Sequence, residues 1–161
     1  MAKFLLSLHV LVSVLFIGPV AVAVSMFPRK AKAALVEGPE QVGAAASVRL
    51  LHRISQLYAL LGIAVPVLGI GTAQVMGVMG DAWITVSIVL TALAAGVLLL
   101  FVLPGQQATI DALDATEERE AETVRATGKL GRLPMTAGVF NLLWAVVVVL
   151  MVIRPGSTTG A

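Results

Sequence analysis

Residues 82–103 read AWITVSIVLTALAAGVLLLFVL, an unbroken run without a charge. Coiled as a helix rising about 1.5 Å per residue, a run of this length covers about 33 Å, enough to cross a hydrocarbon core about 30 Å thick. A membrane strand would alternate apolar and polar residues, and this run does not. Three further windows meet the same requirement: Phe4 to Phe27, Val48 to Met79 and Pro134 to Ile153. Pro134 suits the first turn of the last helix, where its missing N–H is not needed. The chain thus reads as all-α, a four-helix transmembrane bundle running up-down-up-down, with residues 1–161 forming a single integral membrane domain.

Composition agrees. Of 161 residues, 58% are hydrophobic and 12% charged, and mean hydropathy is +0.98. A soluble domain carries about 25% charge. So apolar a chain excludes a soluble enzyme, a disordered linker and a free nucleic-acid-binding module. Its net charge of +2 reflects loop residues and points to no nucleic acid. Cysteine is absent, which excludes disulfides, thiolate metal sites and a cysteine nucleophile.

Orientation follows from Lys and Arg. Arg29, Lys30, Lys32, Arg49 and Arg53 surround the first loop, and Arg119, Arg125, Lys129 and Arg132 lie in the third, while only Lys3 and Arg154 fall on the other side. The positive-inside rule puts both basic loops in the cytoplasm of a plasma membrane and both termini outside. Lys3, the apolar run and Ala21-Val22-Ala23 also suit a cleavable leader, but the run continues to Phe27, so an uncleaved span is expected. Gly80-Asp81 is a short connection, making spans two and three antiparallel neighbours. Residues 106–128 read as a cytoplasmic loop helix. On it Asp111, Asp114, Glu118 and Glu122 form an acidic face that Arg125 and Lys129 continue with opposite sign. This face suits pairing with the basic first loop or docking a basic partner.

Polar residues within the spans are where function is sought. His9 in span one either bonds a neighbouring helix or interface water, or ligates haem or a metal. Arg49, His52, Arg53 and Gln56 sit at offsets 0, 3, 4 and 7 and share a helix face. That stripe reads as a snorkelling row at the inner interface, or as a site for an anionic ligand such as a haem propionate or a lipid headgroup, held by Arg49, His52 and Arg53. His9 and His52 lie near opposite ends of their spans, about 20 Å or more apart along the normal, so one iron cannot take both. His9 with Met76 or Met79 remains possible. Gln56 and Asn141 fall at similar depth, with Gly18 and Gly96 close to that level. The expectation is an interior polar layer of Gln56 and Asn141, with Ala92-x-x-x-Gly96 as a small-residue contact. Pro66 predicts a kink in span two.

No phosphate-binding loop, dinucleotide fingerprint, zinc-protease motif or nucleophile elbow is present, and the four spans carry no carboxylate. Catalysis and autonomous ion pumping are therefore not expected.

The runs Leu8-His9-Val10-Leu11, Phe16-Ile17-Gly18-Pro19 and Phe27-Pro28-Arg29, with Arg49-Leu50-Leu51-His52-Arg53 opening span two, resemble a family of small four-helix membrane proteins of actinobacteria. That family is similar to the copper-resistance-D-like superfamily, which includes HemJ-like proteins. The resemblance implies haem or copper handling, with His9 the position that carries over. In size and architecture the chain also resembles accessory subunits of respiratory supercomplexes. Three readings follow: a non-catalytic accessory or scaffold subunit of a larger membrane complex, plausible in a respiratory chain and packed against other membrane-protein subunits; a haem- or copper-handling protein using His9; and a small transporter with a polar path joining His9, Asn141, Gln56 and His52.

Overall fold

Helix α1 runs from Ala2 to Leu35, longer than the predicted Phe4–Phe27 span. The computed structural model describes residues 1–36, 38–114 and 131–156, and these contain helices and turns with no strand. Helix α1 passes through both Pro19 and Pro28. Beyond Pro28 the helix buries Ala31 and Ala34 against Ala44 and Val48 of the next helix. Packing along this small-residue seam outweighs the bond that a proline removes. Arg29, Lys30 and Lys32 ride exposed on the same extension.

The second rod is two helices, α2 (Gln41–Leu61) and α3 (Ala64–Met76). Pro66 has no N–H for the Gly62 carbonyl, and the Val65 amide takes that carbonyl at 3.0 Å instead, in a tighter turn. The break therefore falls one turn before the proline. The rod ends at Met76, three residues short of the predicted Met79. Gly77 there adopts φ +71°, a left-handed conformation that favours glycine. The Val78 amide closes the end by donating to the Ala73 carbonyl at 3.1 Å.

The third rod corrects the expectation most. Helix α4 (Ala82–Val97) passes through a π-helical turn (Leu98–Val102) into α5 (Leu103–Asp114). The predicted end at Leu103 and separate loop helix from 106 are replaced by one rod from Ala82 to Asp114. Pro104 sits just after the π-turn. That widened turn changes the local hydrogen-bond register where an α-helix would need the proline's missing donor. Residues 115–128 of the expected loop helix, including Glu118, Glu122 and Arg125, lie outside the described residues, as does Lys129. The fourth rod, α6 (Leu133–Ile153), has Pro134 in its first turn, as its position predicted.

Each of the four rods is long and apolar enough to cross a membrane. Helix α1 packs along α2, and α4 along α6. The two pairs join at the end bearing Arg29, Arg49 and Arg132, where α5 meets α2 and α1. At the opposite end, marked by Trp83, α3 and α4 touch only sparsely. There the Trp83 Nε1–H donates to Asp81 Oδ2 at 3.0 Å, and the Arg154 guanidinium lies 5.9 Å from the indole centroid.

Candidate functional site

The gap between α3 and α4 is a cavity of about 870 Å³. Its walls come from α1, α3, α4 and α6, and its polar lining includes His9, Ser13, Ser87 and Thr91. His9 is 5% exposed and Ser87 2%. Ser13 and Thr91 are already occupied, donating to the carbonyls of His9 and Ser87 at 2.7 Å each. His9 Nδ1 and Ser87 Oγ have no hydrogen-bond partner. A buried polar atom left unpaired is costly in hydrocarbon. The imidazole packs against Gly69, where an added Cβ would sit 3.0 Å from His9 Cε1. A side chain at position 69 would make the ring shift by a few tenths of an ångström. Arg154 is the one charged residue among the described residues lining the cavity.

A second polar group lies toward the basic end. Gln106 of α5 is fully buried. Its Oε1 lies 3.1 Å from His52 Nδ1, and its Nε2–H donates to Ser55 Oγ at 3.3 Å. Ser55 in turn donates to the Leu51 carbonyl at 2.9 Å. This chain of bonds ties α2 to α5, with only His52 Nε2 left over. Outside it, Arg49 pairs with Asp114.

Between the two groups lies an apolar plug of Ile17, Val20, Val24, Val65, Leu98, Val102 and Phe140. None of the polar residues of the expected transporter path belongs to that cluster.

A family model described as predicted integral membrane protein (DUF2269) matches residues 3–155. The chain belongs to that family. It is thus a multi-pass integral membrane protein seated in a lipid bilayer. No curated protein and no solved structure matches it.

Several expected groupings are rearranged. The stripe Arg49–His52–Arg53–Gln56 splits: His52 is buried, while Arg49, Arg53 and Gln56 are exposed. The three residues expected to hold one anion therefore do not converge, and Arg49 has its own carboxylate. Gln56 and Asn141 form no layer. Gln56 is exposed, and the Asn141 amide donates to Ser25 Oγ at 2.8 Å. A Cβ on Gly18 or Gly96 would meet nothing, and Ala92 is exposed; the tight approaches are at Gly62, at Gly69 and at Gly105, where a Cβ would lie 2.7 Å from Leu133 Cδ2. Met76 packs beside Trp83 and Ile84 outside the cavity lining, and the methionine that lines it is Met151. Sequence reasoning missed Ser87 and Gln106. Ser87 carried a usable signal, a hydroxyl at nearly the same depth as His9 from the same end. Gln106 was hidden behind Pro104 and Gly105, which looked like a span's end.

Proposed function

We propose that this protein is a non-enzymatic membrane subunit that holds a large, mainly apolar ligand in the His9 cavity. The carrying observation is a pocket among the spans lined by two buried polar residues, His9 and Ser87, each with a polar atom that has no partner within the protein. Ligand sites are mostly apolar with a few placed polar groups, and this volume is within their usual range. The protein works as an accessory subunit of a larger complex in the plasma membrane, with the basic end in the cytoplasm; a respiratory supercomplex is the assembly its size and architecture suit. Purification in mild detergent, with the same fraction read by mass spectrometry for subunits and co-extracted small molecules, tests both halves. Stoichiometric partner subunits and a bound apolar molecule are expected. A solitary chain would overturn the accessory role. A cavity that takes up no apolar probe, and an Ala92→Trp variant indistinguishable from wild type in that uptake, would overturn the ligand role.

One observation favours a second reading. His9 offers a ring nitrogen free for an axial bond, and Arg154 a cation for a carboxylate, which fits haem on one side only. A Soret band that disappears in His9→Ala supports it, and its absence after haem addition removes it. Among the described residues no cluster of three metal-ligating side chains forms, so copper would have to rest on His9 with little else.

A further inference from the structure

The His9 cavity has an extension. A second apolar cavity of about 400 Å³ lies between the α2–α3 break and the π-turn, and reaches Gln56, Leu99 and Leu103. Pro66, Thr91, Ala95 and Trp144 line both cavities. The two therefore adjoin, the first with polar residues in its wall and the second almost wholly apolar. Resting on the ligand-holding role proposed above, we infer that the occupant is a prenylated quinone, its ring between His9 and Ser87 and its isoprenoid tail running down to the π-turn.

Four observations carry this choice. First, the ring end offers two unpartnered groups on different helices, α1 and α4. A serine hydroxyl both donates and accepts, and a neutral imidazole nitrogen does one or the other by tautomer. The pair can donate to a quinone's carbonyls or accept from a quinol's hydroxyls, so either redox state is accommodated. Second, the ring end is nearly without charge. Arg154 is the one charged residue described in either lining, and no carboxylate is present there. A neutral head fits, whereas haem would bring two carboxylates to one arginine and leave the lower cavity without an occupant. Third, the length is wrong for one lipid leaflet. Ser87 and Leu103 are separated by about 24 Å of helix, and half of a bilayer core is only about 15 Å. An acyl chain entering from the Trp83 end would stop near the midplane, while a polyisoprenoid tail continues past it. Fourth, the lower cavity asks for nothing polar: Thr91 is already bonded to the Ser87 carbonyl, and Gln56 stands at its far edge.

The test is photolabelling of the full chain in nanodiscs with a 1,4-naphthoquinone whose prenyl tail carries a terminal diazirine. Label is expected on peptides containing residues 98–103 and 59–63, and an excess of unlabelled prenylated naphthoquinone should suppress it about tenfold or more. Ser87→Ala and His9→Phe should each lower that competable labelling several-fold, as loss of one hydrogen bond does. Ala95→Phe, which narrows the junction, should move the label off residues 98–103 while the tailless 2-methyl-1,4-naphthoquinone still quenches Trp144 fluorescence. Circular dichroism and elution profile confirm that each variant is folded. Labelling that unlabelled prenylquinone does not suppress, or that both head variants leave unchanged, overturns the inference. A diazirine-bearing phospholipid that labels both cavities where the quinone labels neither also overturns it but leaves the ligand-holding role standing. If neither probe enters and Ala92→Trp changes nothing, both fall.

Discussion

The two ends of this bundle treat polar groups in opposite ways. At the basic end Gln106, Ser55 and His52 are buried and bonded to one another across α2 and α5, with His52 Nε2 left over. At the Trp83 end His9 and Ser87 are as deeply buried, yet an Nδ1 and an Oγ have no partner, and α3 and α4 touch only sparsely. A polar side chain in hydrocarbon ties helices together when neighbouring helices complete its bonds, and it recognises something else when they do not. The first end ties helices to one another; the second carries the polar atoms on which the proposed ligand role rests.

The strongest challenge to this contrast is to remove packing from the closed end. Phe27 is 1% exposed among α1, α2 and α6, and Phe27→Ala should cost about 2–3 kcal/mol in unfolding titrations in mixed micelles. The cavity term persists in a bilayer, whereas transfer from water largely does not. Loss of less than about 1 kcal/mol would mean the closed end is not what holds the bundle. Next, Gln106→Leu should cost about 1 kcal/mol or somewhat more, because His52 and Ser55 lose a shared partner. A double-mutant cycle with His52→Phe should then show clear coupling, and purely additive losses would argue against a network. Arg49→Ala is expected to cost at most about 0.5 kcal/mol, shrinking as salt is raised, because the Arg49–Asp114 pair is exposed; a large salt-independent loss would relocate the stabilising electrostatics. His9→Leu comes last, within about 0.5 kcal/mol of wild type without ligand, since it removes an unpaired polar atom. A severe loss there would erase the distinction between the ends.

The four spans were legible because long uncharged runs have only one economical fold in lipid. Their ends were less so. The first span outruns Pro28 because Ala31 and Ala34 find a partner seam on α2, which is tertiary information. The third outruns Leu103 because the π-turn accommodates Pro104. The site residues show a finer limit. At about 100° per residue, Arg49, His52, Arg53 and Gln56 fall within an arc of about 100°, so calling them one face was sound geometry. The boundary between bundle and surroundings runs through that arc. His52 falls on the inner side with Ser55, Leu51 and Val48, and the other three fall outside. Periodicity gives the width of a face but not where the neighbouring helix begins. His9 was singled out from its residue type alone. Ser87 was not, because only the assembled bundle puts residues 9 and 87 in the lining of one cavity.

The π-turn at Leu98–Val102 bears on how such a protein changes over generations. An extra residue within one turn advances everything after it by about 100° around the axis. The third rod is in effect two screws threaded at an offset, the upper set by the cavity wall and the lower by the seat of Gln106 and Thr109. Deleting a single leucine from that turn would leave hydropathy almost untouched and swing the buried face of α5 away from His52. Two sequences of equal greasiness, differing by one residue in length at this point, would therefore encode differently phased proteins.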